Sequence, residues 1–325
     1  MKKWIYWLGA VLAVLALAFW WLLLDARAPA SAEDVFDLDA YRTMVSEDAG
    51  NLPVEIRIET VGTDTAPGFA ADAGDFGREF QLAYTALQIV WPDQAIVIGG
   101  AADEATAAEM AQSAETSHFD GDAYQRVLEA MLQAEQVLIT HEHLDHVMAI
   151  ARHPDPAALA PRLRLNALQL DAMPQFAIDG ELAGEIAGSA TTSFDGPERI
   201  APGVVRVPSA GHTPGTQSFY VRLASGEEYF LIGDIVWAMS NIDNLSTRPR
   251  LLQYLMFDPN EDRPNVLAQV RALHDMRTAN PDIILVPSHD RDHLDALVAN
   301  GQLRSNFLLR SEDLGENDAA TTPDS

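Results

Sequence analysis

Gln136-Val137-Leu138-Ile139-Thr140-His141-Glu142-His143-Leu144-Asp145-His146 is the stretch on which the reading of this chain turns. Its first five residues form a short, β-prone apolar run, which predicts a buried strand ending directly in three histidines and an aspartate. Two apart on an extended or turning backbone, His141 and His143 can point the same way, while Asp145 and His146 turn toward a neighbouring point. This predicts two half-sites a few ångströms apart. Imidazole suits zinc, iron or nickel, carboxylate suits harder ions, and a catalytic metal needs about three protein ligands with a position left for water. Four ligands are too few for two ions, so the search moves outward. Three further candidates follow a predicted strand or sit in a Gly/Pro loop: His212 in Gly211-His212-Thr213-Pro214-Gly215, Asp234 after Leu231-Ile232-Gly233, and His289 after Val286-Pro287-Ser288. Gly211 and Gly215 would relax the backbone around His212. The zinc-protease pattern His-Glu-x-x-His is absent, because Asp145 stands four residues after His141, and Glu142 is not assigned as a base.

Around these residues the periodicity alternates between sheet and helix. Residues 54–61 alternate apolar and polar as a half-buried strand does, and 84–91 with 94–98 read as a hairpin about Pro92-Asp93. Residues 104–114 and 122–134 are helical in composition. A second strand block covers 203–208, 217–223 and 229–232, and a helix over 263–278 precedes a strand over 283–286. Strand blocks followed by helices imply an α/β fold of two packed sheets covered outside by helices.

His-x-His-x-Asp-His, then Gly-His-Thr-Pro-Gly, then Gly-Asp, then a late His resembles the metallo-β-lactamase superfamily, over about residues 54 to 290. The resemblance implies an αββα sandwich. It implies that His141, His143 and His212 hold a first metal, that Asp145, His146 and His289 hold a second, and that Asp234 bridges them. The ions would be two divalent metals, zinc first, with iron or manganese as alternatives. A cysteine takes the Asp234 position in the antibiotic-degrading zinc β-lactamases, so this chain looks more like the lactonase and glyoxalase II branch. It departs from the pattern at Ile98-Gly99-Gly100, where an Asp-x-Gly turn is usual, and at Trp237, where some lactonases carry tyrosine. Two cations sharing a water lower its pKa toward neutrality and aim it at a carbonyl, with Asp145 as the candidate catalytic proton shuttle.

The other four histidines, His118, His153, His274 and His293, have no motif around them and read as structural or surface residues. Asp290 and Asp292, beside His289, read either as acceptors that orient its ring or, by preference, as a solvated charge run. Residues 237–257 are apolar with little periodicity, and read either as a substrate-pocket wall or as ordinary core packing of a helix.

Composition limits what the site can serve. The 325-residue chain is 48% hydrophobic and 21% charged, as a globular enzyme is. It carries 48 acidic against 21 basic residues, a formal charge of -27, which argues against a nucleic-acid partner and so against phosphodiesterase action on RNA. With no cysteine, any metal must be held by His and carboxylate. Lys2 and Lys3 precede an uncharged stretch over residues 4–24 with tryptophans near both ends, long enough to cross a bilayer. Residues 1–25 are therefore expected to be a transmembrane anchor, or a signal segment cleaved near Ala30-Ser31-Ala32. Residues 26–50 follow as a linker, 51–310 as the metal-binding domain and 311–325 as a disordered acidic tail. The expected location is the inner membrane with the domain outside the cytoplasm in the periplasm, or secretion after cleavage.

The resulting expectation is a membrane-tethered, exported dinuclear hydrolase of an ester, lactone or thioester, with a small molecule as partner. An iron-dependent, sulfur dioxygenase-like enzyme and a metal-clamped sensor without catalysis are the alternatives.

Overall fold

The computed structural model describes residues 2–32, 35–48, 50–255 and 261–309, so the expected tail at 311–325 lies outside the described residues. Two sheets form the centre. The first is built from β1 (Glu55–Pro67), β2 (Glu79–Val90), β3 (Ala95–Ile98), β4 (His118–Phe119), β5 (Gln136–Leu138) and β11 (Arg304–Ser305), in the order β11-β1-β2-β3-β5 with β4 on β1. The second holds β6 (Glu198–Ala201), β7 (Val204–Pro208), β8 (Gln217–Arg222), β9 (Glu228–Gly233) and β10 (Ile284–Pro287), in the order β10-β9-β8-β7-β6. β1 runs well past the expected 54–61, because a bulge between Thr60 and Gly62 lets it stay paired with the long β2.

The helices are α1 (Lys2–Leu23), α2 (Leu38–Met44), α3 (Glu104–Met110), α4 (Gly121–Gln133), α5 (Leu144–Ala151), α6 (Pro156–Leu159), α7 (Ala167–Ala172), α8 (Gly184–Ala187), α9 (Met239–Asn244), α10 (Arg250–Leu255), α11 (Arg263–Ala279) and α12 (Arg291–Ala299). Alternation along the strands explains the layering, since successive side chains leave opposite faces of a sheet. Phe219, Val221, Tyr229 and Leu231 point inward with Ile56, Ile58, Ile89 and Ile96, filling the space between the sheets. Their neighbours Tyr220, Phe230 and Ile232 point the other way, onto Val270, Leu273 and Met276 of α11. In the first sheet Leu138 joins the inner layer, while Val137 and Ile139 pack outward against Val127 and Met131 of α4 and Val147 and Ile150 of α5. The order is helix, sheet, sheet, helix.

One expectation is corrected. Residues 26–50 are not a bare linker, because Leu38, Tyr41 and Val45 recur on one face and join the core under α11, and Arg42 pairs with Glu228 at 2.7 Å. The Ala, Asp and Pro content of the segment masked that short apolar stripe. α1 joins neither sheet nor core: its apolar span over Lys3–Leu23 is unburied, and it meets the domain only near its C-terminal end.

Candidate metal centre

Strand ends deliver the site. β5 runs into His141, β9 into Asp234, β10 into His289, and the β7–β8 loop carries His212. The two sheets are locked where they meet, since the Gln217 amide donates to the Thr140 carbonyl at 2.7 Å and Gln217 Nε2 to the Ile139 carbonyl at 2.8 Å. α5 starts at Leu144, so the turn that follows His143 throws Asp145 and His146 round to a second point. That helix comes very close to the end of β3. A Cβ on Gly100 would meet the His146 carbonyl at 2.5 Å, so only glycine fits there.

All seven predicted residues come together, in three interlocking triads whose ligand atoms lie within 4.8 Å of one another: His141, His143 and His212; His141, His146 and Asp234; and Asp145, His146 and His289. In the first, His143 Nδ1 lies 3.1 Å from His141 Nε2 and 3.0 Å from His212 Nε2. In the third, Asp145 Oδ2 is 3.6 Å from His146 Nε2 and 3.3 Å from His289 Nε2. Asp234 stands between them. Its Oδ2 is 2.8 Å from His289 Nε2 and 3.7 Å from both His141 and His212 Nε2, and its Oδ1 is 3.5 Å from His146 Nε2.

These residues fit a pair of divalent cations. Ligands about 2.0–2.2 Å from a tetrahedral zinc sit about 3.3–3.6 Å from one another, close to the spacings above. Buried His146 Nε2 and Asp234 Oδ1 face each other with no hydrogen-bond partner, an arrangement that costs about 1–3 kcal/mol per atom unless a cation or proton lies between them.

The ionisation states agree with a ligand set. Burial, with the His146 charge adding to it, holds His141 well below the usual histidine range, and burial with Arg248 pushes His212 down to about 4, leaving both with lone pairs. Burial alone would raise Asp234, but the neighbouring His289, His141 and His146 hold it well below the carboxylate range. Burial alone would lower His289, yet Asp234 and Asp145 push it up to about 9, so a proton sits where a cation would replace it.

Outer partners fix the rings. The Thr140 hydroxyl lies 3.0 Å from His141 Nδ1 and 3.4 Å from His146 Nδ1, and the Ala83 carbonyl lies 2.8 Å from His289 Nδ1, so each ring turns Nε2 inward. Arg248 Nη2 is 2.7 Å from His212 Nδ1 and 2.5 Å from Glu261 Oε2, and that carboxylate oxygen is 3.9 Å from the same ring nitrogen. Trp237 Nε1 donates to Asp234 Oδ2 at 3.0 Å, and the Arg248 guanidinium lies 5.2 Å over its ring. Glu142 accepts from the Gly215 amide and the Thr213 hydroxyl. None of Thr140, Glu142, Arg248 or Glu261 is a site residue by sequence motif. Only Trp237, three residues after Asp234, stood out in advance.

The remaining histidines stay apart from the seven. His153 Nε2 lies 3.4 Å from the Leu128 carbonyl, while His274 and His293 face the Ile242 and Leu285 carbonyls, and His118 is exposed. Asp290 does not orient His289. It caps α12 and accepts from the Met239 amide at 2.8 Å. Of residues 237–257, Met256 and Phe257 lie outside the described residues, and α10 is half-exposed rather than core.

Two sheets between helices, with His and Asp converging at strand ends, define the metallo-β-lactamase fold. Among solved structures the chain is similar to a quorum-quenching N-acyl homoserine lactone lactonase, at 13% identity and a TM-score of 0.54 over 75% of this chain and 95% of that one. It is equally similar to an N-acyl homoserine lactone hydrolase with the product N-hexanoyl-L-homoserine bound at its catalytic metal center, at 13% and 0.54 over 75% and 96%. A third is a "probable metal-dependent hydrolase" from Staphylococcus aureus, at 14% and 0.54 over 74% and 90%. No family model matches the sequence, and no curated protein does.

Proposed function

We propose that the chain is a dinuclear metal-dependent hydrolase of a carboxylic ester, lactone or thioester, tethered to a membrane by α1 with its domain outside the cytoplasm. The observation that carries this is the seven-residue cluster, with Asp234 set between two triads and His146 Nε2 and Asp234 Oδ1 unsatisfied at its centre. His141, His143 and His212 would hold one cation, Asp145, His146 and His289 the other, and Asp234 both. Bound there, the pair would supply carbonyl polarisation and a water acidic enough to ionise near neutral pH.

The chain's own groups do the rest. Asp145 keeps 14% of its side chain exposed, whereas Asp234 keeps 2%, so Asp145 is the carboxylate that faces an incoming substrate and can pass a proton to a leaving oxygen or sulfur. Trp237 and Tyr84 flank His289 with ring centroids 5.4 and 5.8 Å away, and wall one side of the Asp145, His146 and His289 triad. A substrate carbonyl enters over half-exposed His143, Leu144 and Asp145. The lactone chemistry of the similar solved structures supports an acyl-oxygen substrate, and Asp234 in place of cysteine points the same way.

Metal analysis of the purified protein, coupled to hydrolysis of a lactone, a thioester, an aryl ester, a phosphodiester and a cephalosporin, tests the reading. Two metals per chain with lactone or ester turnover are expected. One iron with oxygen uptake would replace the hydrolase with an oxygenase, and bound metal with no turnover would leave a sensor.

A further inference from the structure

α1 touches the domain over its last two turns, where it meets exposed aromatic residues and one arginine. The Phe76 ring stacks on Phe19 with centroids 6.1 Å apart, and the place a Cβ would take on Gly74 lies 3.4 Å from Leu24. On another side Tyr254 packs on Trp21 at 6.2 Å, the Arg250 guanidinium lies 4.8 Å over the same indole, and Arg250 Nη2 is 3.0 Å from Asp25. Despite these contacts Phe76 and Tyr254 stay 56% and 55% exposed, and Leu255, next to Tyr254 at the end of α10, is 59% exposed. Phe19 lies four residues before the end of α1, a depth of about 6 Å at 1.5 Å per residue. Trp20 and Trp21 at the same level are of the residue type that marks a membrane interface. A bilayer that α1 crosses must therefore also take in Phe76, Tyr254 and Leu255, at a depth typical of interfacial side chains.

One short stretch of chain links this surface to the metal centre. α10 begins two residues after Arg248, which contacts His212 and covers Trp237. Beside the end of α1 a cavity of about 830 Å³ opens, lined by Trp20 and Leu24 and by Arg27, Asp72, Arg78 and Ser246.

We propose that Phe76 at the tip of the 74–78 loop and Tyr254 and Leu255 at the end of α10 insert into the lipid interface beside α1, with the charged Arg78 and Arg250 at its rim, and that the substrate is an acyl amphiphile whose hydrolysable carbonyl reaches the centre from that interface. The proposal rests on the tethered-hydrolase reading. It differs from a simple tether, which would leave the domain in water and favour soluble esters.

The chain contains no cysteine, so single labelling sites are unambiguous. Val14→Cys, Phe76→Cys, Leu255→Cys and Ile178→Cys are each spin-labelled in the full chain in phosphatidylcholine vesicles, and relaxation by lipid-dissolved oxygen is compared with relaxation by an aqueous nickel chelate. Oxygen-dominated relaxation is expected at 14, 76 and 255, with nickel-dominated relaxation at 178, which is also exposed but lies on a turn that packs on residues 173–176 and not on α1. Lipid exposure at 14 with water exposure at 76 and 255 overturns the embedded face and leaves the tether standing; water exposure at all sites overturns both. For the substrate, Tyr254→Asp with Leu255→Asp is expected to cut turnover of p-nitrophenyl dodecanoate in vesicles about tenfold, and turnover of soluble p-nitrophenyl butanoate by less than about twofold. Equal loss on both esters, or none on either, overturns delivery from the bilayer. Turnover of neither ester by the unaltered protein overturns the hydrolase and the substrate class, while the labels still decide the face.

Discussion

Glu142 Oε1 accepts the Gly215 amide hydrogen at 2.8 Å while its Oε2 accepts from the Thr213 hydroxyl at 2.8 Å, so the residue between two site histidines ties down the loop that carries a third. Both partners are buried, and truncation would leave them unsatisfied. Glu142→Ala is expected to cost about 2–4 kcal/mol and to empty the His141, His143, His212 group first, read as a lower thermal midpoint and metal below two per chain. Gly215→Ala should reproduce it, since the added methyl would meet Glu142 Oε2 at 2.6 Å. The need there is for close approach.

Acid should unfold the metal-free protein over two overlapping windows. Burial and Arg248 depress folded His212 from 6.5 to about 4, while Arg248 and His212 overcome burial to hold Glu261 at about 2 against 4.5. In each window the unfolded chain binds the proton and the native chain does not, so stability is complete above the unfolded value and falls as pH drops through the folded one. Urea midpoints should decline from about pH 6.5 downward, and Glu261→Gln should flatten the part between about 4.5 and 2, worth up to about 3 kcal/mol. An unchanged slope in that variant would show that Glu261 is not held ionised.

How much of this was legible follows from which interactions are local. The strand-to-histidine junction at residues 136–146 is readable because an apolar run and its ligands are adjacent in sequence. The second sheet is readable because Phe219, Tyr220 and Val221 are apolar on both faces, as strands buried on both sides are. What could not be read is the ring of partners behind the ligands. Glu261 lies 49 residues from His212, the Ala83 carbonyl 206 from His289, and a backbone acceptor leaves no trace in residue type. α2 was missed because Leu38, Tyr41 and Val45 span barely two turns, too short for periodicity to outweigh composition.

Trp237 offers a test of the partners that was half visible. Its indole N–H is donated to the same Asp234 oxygen that faces His289, at 3.0 Å. Trp237→Phe keeps the apolar wall and removes the donor, so metal affinity or turnover should fall about 10- to 100-fold with little change in melting temperature. Competition with a chromogenic chelator measures the first. Unchanged affinity and rate would reduce Trp237 to packing.

Asp234 and Asp145 should fail in different ways, although both are carboxylates within reach of His289. Asp234 is buried between two triads, so Asp234→Ala removes an oxygen from both groups and leaves His289, pushed up to about 9 chiefly by that carboxylate against burial, to fall back toward neutral. Both metals should be lost, and elemental analysis should find well under one per chain. Asp145 belongs to one triad and is the more exposed of the two. Asp145→Asn should weaken a single site and keep the other, yet slow turnover by about 10²–10⁴, because an amide cannot carry the proton. Saturating metal then separates the roles. If excess zinc restores full rate to Asp145→Asn, the residue is only a ligand; if occupancy returns to two per chain while turnover stays low, the proton-carrying role holds.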